Sequence, residues 1–245
     1  MPPEGNNEEA ENVHQNVISE NHPQITDHST KEWTNDLPRK GLNIMHLNIR
    51  SLRNKTTELS LLAQRAKANV IAITETWLDS SITDSEVMIP GYNIVRKDRS
   101  TLGGGVCLYV KDTLAYNTRT DLSDDQFEAI WINLLSKKTK PILIGCVYRP
   151  PHQHDFVEKL DETLAKTAPH METVILGDMN INFTTNNNCL LNRQYNSFLK
   201  TNGLTQLISD PTRISAQCSS VIDHILVSDK SIISKYGVIS VGISE

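Results

Sequence analysis

The sequence predicts a mixed α and β chain built around packed sheets, and three observations carry that prediction. Short runs rich in β-branched and aromatic residues, bounded by Gly, Pro or charge, outnumber the helical patterns. Helical spacing recurs between groups of these runs instead of filling one block. One run, Asn69–Thr74, is continuously apolar, as in a strand covered on both faces.

Residues 1–38 are rich in Asn, Glu, Gln, His and Thr and poor in large apolar side chains. Such a segment buries too little surface to offset chain entropy, so it is read as a disordered acidic tail with His14, His22 and His28 solvated in it. The pattern changes at Gly41, and residues 39–245 read as one domain. Leu42–Asn48 alternates as a strand. Asn54–Ala66 spaces Leu59, Leu62, Ala63 and Ala66 as one face of a helix. Strands follow at Asn69–Thr74, Tyr92–Lys97, Gly105–Val110, Phe127–Leu135 and Pro141–Tyr148, with Lys137, Lys138 and Lys140 in a hairpin turn. His154–Thr167 carries Phe156, Val157, Leu160 and Leu164 on one side of a helix. Thr173–Leu176 and Val221–Val227 are strands again, with a polar loop and a short helix around Arg193–Lys200 between them. There is no internal repeat.

A hydrophobic fraction of 38% with 22% charged residues suits a soluble globular domain of this length. Of 24 bases and 29 acids, three and eight fall in residues 1–40, so the remaining chain carries 21 of each. A formally neutral body excludes a non-specific basic coat, and any nucleic-acid site must be a local cluster. Cys107, Cys146, Cys189 and Cys218 form no C-x-x-C pair and read as free thiols in a reducing compartment. The N-terminus lacks a signal-peptide run, and the longest apolar stretch, Ile142–Tyr148, is too short to span a membrane.

Polar residues stand at the ends of otherwise apolar strands: Asn48, Glu75, Tyr148, and Asp178 with Asn180 in Leu-Gly-Asp-Met-Asn. Asp223 interrupts Val-Ile-Asp-His-Ile-Leu-Val. Side chains leaving neighbouring strand ends converge on one cleft, and carboxylates, amides and a tyrosine suit a hard cation and a phosphate. Taken singly, an acid at a strand end reads as a turn former or helix cap. Asp223 resists that reading, because a carboxylate amid Val, Ile and Leu must be paired or shift its pKa, unless its strand is covered on one side only and Asp223 faces water.

In order, Leu47-Asn48, Thr74-Glu75-Thr76-Trp77, Gly103-Gly104-Gly105-Val106, Val147-Tyr148-Arg149-Pro150-Pro151, Gly177-Asp178-Met179-Asn180 and Ile222-Asp223-His224-Ile225 resemble the endonuclease/exonuclease/phosphatase superfamily. The wording Asn-Ile-Arg-Ser-Leu-Arg-Asn-Lys, Glu-Thr-Trp-Leu, Ile-Pro-Gly-Tyr and Arg-Lys-Asp-Arg resembles the endonuclease domain of LINE-type (non-LTR) retrotransposons. The resemblance implies an α+β fold, a four-layer α/β/β/α sandwich with two mixed β-sheets and the active site at one edge. It implies a Mg²⁺- or Mn²⁺-dependent phosphodiesterase that cuts DNA and leaves a 3′-hydroxyl for target-primed reverse transcription. DNA is then the partner, with a reverse transcriptase encoded elsewhere, no membrane and no small-molecule cofactor, in a nuclear setting. Glu75 would bind the metal with Asn48 beside it. Asp178 would orient and deprotonate the attacking water, and Asn180 would hold Asp178 and the phosphate. Tyr148 would contact a phosphate oxygen, and Asp223 would orient a histidine.

The resemblance also implies a closing Ser-Asp-His and one more strand, beside Leu42–Asn48. Here the chain reads Gly242-Ile243-Ser244-Glu245, so the expectation is a domain short of its last motif and strand, and the alternative reading is a catalytically impaired remnant with residual metal or nucleic-acid binding. A phosphatase or lipid phosphodiesterase on the same fold is disfavoured by the retrotransposon-like wording. His224 is adjacent to Asp223 on a strand and should face away from it. His46 shares a face with Asn48 and could therefore approach the site, although a histidine packed beneath the cleft is the expected reading. Arg50, Arg53 and Lys55 after Asn48, and Arg149 after Tyr148, would line the rim for a DNA backbone. Gly103–Gly105 precedes a strand, so it reads as close backbone packing or a hairpin, not a phosphate loop.

Overall fold

Two mixed β-sheets face each other in a computed structural model that describes residues 41–136, 139–183, 189–214 and 219–243. The expected tail at 1–38, Lys137, Lys138, Cys218 and the final Ser244-Glu245 lie outside the described residues. The first sheet is built from β1 (Ile44–Asn48), β2 (Val70–Thr74), β3 (Tyr92–Lys97) and β4 (Val106–Lys111), in the order β1-β2-β4-β3. β1 and β2 are parallel, because α1 (Thr56–Arg65) carries the chain back between them. The other pairs in this sheet are antiparallel.

The second sheet takes β5 (Tyr116–Thr118), β6 (Ala129–Leu134), β7 (Ile142–Tyr148), β8 (Glu172–Asp178), β9 (Thr205–Gln206) and β12 (Asp223–Val227), in the order β5-β6-β7-β8-β12-β9. Its one parallel pair, β7 with β8, is bridged by α2 (Phe156–Ala165), while α3 (Leu190–Thr201) follows β8. β10 (Arg213–Ile214) and β11 (Ser219–Ser220) form a separate two-stranded ribbon. The long strands match the sequence reading to within a residue or two at most ends. The short β5, β9, β10 and β11 have too few residues to show alternation and were not expected.

Period two sorts the strand side chains between layers. Val70 and Ala72 of β2 meet Ile144 and Cys146 of β7 and Val174 and Leu176 of β8 between the sheets. Their neighbours Ile71 and Ile73 face outward onto Leu59 and Ala63 of α1. On the far side, Leu143 and Val147 of β7 and Ile175 of β8 pack under Phe156, Leu160 and Leu164 of α2 and Tyr195, Phe198 and Leu199 of α3. The result is a four-layer sandwich, α1, sheet, sheet, then α2 with α3. Each fully buried aliphatic or aromatic side chain here stabilises by about 1.5–3 kcal/mol. Truncating Leu160, which has no exposed surface, would cost roughly 2–5 kcal/mol through the cavity it leaves.

Candidate active site

The alternation that fills the layer between the sheets also delivers the polar side chains to one end of it. In β1, Ile44 packs on the inter-sheet cluster, so His46 and Asn48 point the same way. Tyr148 ends β7 with the parity of Ile144 and Cys146, and Asp178 ends β8 with that of Val174 and Leu176. Register completes the convergence: Tyr148 lies opposite Asp178, and Asp178 opposite Asp223 at the start of β12. Asp223 thus opens its strand rather than lying within it, because Val221 and Ile222 bond Phe183 and Met179 instead of the ladder.

Glu75 follows β2, where continued extension would turn it away from the layer. Its φ of 54° reverses the chain, and Trp77 repeats the left-handed conformation at φ 53°. Such conformations are uncommon outside Gly and persist where surrounding contacts fix them. Here the backbone N–H groups of Thr76 and Trp77 donate to the carbonyls of Gly105 and Gly104 at 3.2 and 3.0 Å. A side chain at Gly105 would collide with Thr76 Oγ1, so close packing is why glycine stands there.

The Glu75 carboxylate accepts three hydrogen bonds: from Asn48 Nδ2 at 3.2 Å and the Tyr148 hydroxyl at 3.3 Å on Oε1, and from the Trp77 indole at 3.2 Å on Oε2. Asn48 Nδ2 also donates to Asp178 Oδ2 at 2.8 Å, so one amide bridges two acids from different sheets. Asp178 Oδ1 accepts the Asn180 backbone N–H at 3.0 Å. Burial pushes the Asp178 carboxyl well above the usual carboxylate range. The negative charge of Asp223 adds to this, and the Asn180 and Asn48 donors oppose it. Asp223 is likewise raised, first by burial, with the Thr212 hydroxyl holding it back. The Tyr148 hydroxyl is driven up by burial and by Glu75 and Asp178, so it stays protonated.

The structure brings Asn48, Glu75, Tyr148, Asp178 and Asp223 together, and Asn180 adjoins them by its backbone only. The Asn180 side-chain amide donates to the Arg149 carbonyl at 2.8 Å. Arg149 itself departs from expectation. It is 3% exposed and donates to the carbonyls of Gln153, Asn180 and Pro151 at 3.1, 3.1 and 3.3 Å. A buried guanidinium whose donors are committed to three backbone carbonyls acts as an internal staple, which leaves Arg149 little freedom to serve as a rim contact. Arg53 is exposed and pairs with Glu86 at 3.3 Å, Arg50 is exposed, and Lys55 Nζ caps the carbonyls of Ile49 and Arg50.

His224 faces away from Asp223, buried against Tyr195, whose hydroxyl lies 2.7 Å from its Nδ1. His46 packs beneath the cleft with Nε2 3.1 Å from the Thr74 hydroxyl and Nδ1 3.7 Å from Asp223 Oδ1. Burial lowers its pKa to about 3, so it is neutral. Sequence reasoning gave Trp77 no role. Here the indole reaches back to a carboxylate two residues earlier with both residues left-handed, a conformation that the sequence does not announce.

Buried oxygens left without a partner include Asn48 Oδ1 and Asp223 Oδ1, both acceptors at this end of the layer. Orphaned hard oxygens beside carboxylates fit a divalent cation of the Mg²⁺ class. No three His, Cys, Asp or Glu side chains among the described residues are gathered as a ready ligand set.

Residues 45–244 match the Endonuclease/Exonuclease/phosphatase family. The chain belongs to this family. The endonuclease domain of TRAS1, a telomere-specific non-LTR retrotransposon, is similar over 77% of this chain and 86% of that one, with a TM-score of 0.63 and 16% identity. The AP endonuclease LMAP from Leishmania major covers 76% and 78%, with a TM-score of 0.58 and 13% identity. A Neisseria 3′ phosphatase, NExo, bound to a product DNA hairpin covers 77% and 87%, with a TM-score of 0.55 and 18% identity. At these identities the likeness establishes the Endonuclease/Exonuclease/phosphatase fold and no more. None of the curated proteins compared matches the chain. No helix among the described residues is long and apolar enough to cross a membrane.

Proposed function

We propose that this chain is a Mg²⁺- or Mn²⁺-dependent DNA endonuclease that hydrolyses a phosphodiester and leaves a 3′-hydroxyl. The observation that carries the reading is the bridge made by Asn48 between Glu75 and Asp178, with Tyr148 and Asp223 at the same end of the inter-sheet layer. A divalent ion bound at Glu75 and Asn48 would neutralise the anionic diester and the charge that develops on it.

The residues divide the remaining work. Asp178, its pKa raised toward the working range of a general base, takes one proton from the attacking water. The water oxygen bonds to phosphorus as the bond to the 3′-oxygen breaks, and the departing oxygen takes up a proton. Asn180 fixes Asp178 through its backbone N–H. Tyr148, protonated, donates to a phosphate oxygen, and Asp223 would orient a histidine that polarises the scissile phosphate, as the family resemblance implies. A free 3′-hydroxyl is the end a reverse transcriptase encoded elsewhere would extend, with the nucleus as the setting.

Nicking of supercoiled plasmid tests this reading. The purified chain with Mg²⁺ or Mn²⁺ should open supercoils to nicked circles that a DNA polymerase extends without prior end repair. Asp178→Ala should lower the rate about 10²–10⁴-fold. Nicks that a polymerase cannot extend, or nicking indifferent to Asp178→Ala, would refute it.

A further inference from the structure

The run Arg96-Lys97-Asp98-Arg99 leads from β3 into the glycine loop, and three of its four side chains are spent inside the protein. Arg96 binds Asp98, Asp84 and the Asp79 carbonyl. Lys97 Nζ donates to the carbonyls of Asp124 and Phe127. Asp98 is the acceptor for Arg96. Arg99 differs. Its side chain is 42% exposed, and its guanidinium carbon lies 5.8 Å from the centre of the Tyr148 ring, at the mouth of the site.

Its orientation is fixed from behind. Nε donates to the Gly103 carbonyl at 2.8 Å, and Nη1 pairs with Glu128 at 2.7 Å. Glu128 is held in turn by the Gly105 backbone N–H at 2.7 Å. The guanidinium lies against Gly103 and Gly104, and a side chain at Gly104 would strike it. With the backbone of Gly104 left-handed at φ 70°, that contact adds to the reason for a second glycine of the triplet. Nη2 has no hydrogen-bond partner among the described residues. A planar, pre-oriented guanidinium with an open edge suits a phosphate oxygen.

We propose that Arg99 is a substrate-contact residue that holds a backbone phosphate of the nucleic acid neighbouring the one that is cut. The assignment to a neighbouring phosphate follows from position. Arg99 contacts the Tyr148 ring, its guanidinium carbon 5.8 Å from the ring centre, while the hydroxyl at the end of that ring reaches Glu75 at 3.3 Å. This inference rests on the nuclease reading above. It also replaces Arg149, which the fold withdraws from the surface.

Two substrates separate a phosphate contact from a brace for the Glu75 turn. One is a short DNA duplex, with binding followed by fluorescence anisotropy across a salt series in metal-free buffer. The other is bis(p-nitrophenyl) phosphate, which has one phosphodiester and no neighbouring phosphate. Arg99→Ala should weaken duplex binding roughly tenfold. It should lower the slope of log K against log salt by about 0.9. Turnover of the small diester should not change. Arg99→Lys should restore the slope, because the charge returns. Equal losses on both substrates would make Arg99 a brace and overturn the proposal. So would wild-type duplex binding whose salt slope is the same in Arg99→Ala. A wild-type chain that binds no duplex at any salt would instead sink the nuclease reading itself.

Discussion

Arg149→Lys is the sharpest test of how the structure reassigns a residue. The side chain donates from three nitrogens to three carbonyls, Gln153, Asn180 and Pro151. Lysine keeps the charge but cannot span three acceptors from one ammonium, so about two hydrogen bonds to partly buried carbonyls are lost. Hydrogen bonds from charged donors are worth roughly 1.5–3 kcal/mol each, and partial relaxation reduces the sum. The expected loss is about 2–4 kcal/mol, or roughly 5–15 °C in melting temperature for a domain of this size. Urea and thermal denaturation measure it. Duplex binding should keep its salt slope whichever way the side chain points, because lysine keeps the charge, so stability is the deciding readout. A variant with unchanged stability would refute the staple and restore Arg149 to the rim.

Three other perturbations have defined outcomes. Asp178 and Asp223 have raised folded-state pKa values, so their contribution is full below the ordinary carboxylate pKa of about 4 and is lost as pH rises toward neutrality. Metal-free stability should fall across that window, and Asp178→Asn should flatten the fall while abolishing nicking; an unchanged slope would contradict the shift. Gly177→Ala would drive a methyl into the Val147 carbonyl on the neighbouring strand, costing about 3 kcal/mol or more and shifting the adjacent Asp178; denaturation midpoints within error of the parent would contradict the packing. Tyr195→Phe removes the hydroxyl 2.7 Å from buried His224 and should cost about 1–3 kcal/mol without altering turnover, which calorimetry and the plasmid assay read separately.

What the sequence disclosed follows from the range of the interactions involved. Strands such as Tyr92–Lys97 and helices such as Phe156–Ala165 are legible because burial imposes periods of two and 3.6 on neighbouring residues. The same periods predicted that His46 and Asn48 share a face and that His224 turns from Asp223, and the contacts agree. The candidate site was legible as a set of residues because each polar side chain marks the end of an apolar run.

What stayed hidden depends on segments far apart in the chain. Arg149 follows a strand end as a rim residue would; the Pro151 and Gln153 carbonyls of its own turn hold it together with the Asn180 carbonyl, which comes from 31 residues away. Arg99 belongs to a charged run that looks uniformly solvated, yet it is sorted from Arg96 and Lys97 by Glu128, 29 residues away. The glycine triplet is explained only in part by its own segment, where Gly103 bonds Arg99 and Ser100. Its reason is the left-handed turn at Glu75 and Trp77, which needs two carbonyls and space for Thr76, and the guanidinium of Arg99, which needs a flat surface. Glycines here let one backbone approach another closely enough to hold an acid in a conformation that its own sequence disfavours. The orientation of Glu75 is therefore a property of the paired loops, and substitutions at Gly104 or Gly105 should act on it as directly as changes at Trp77.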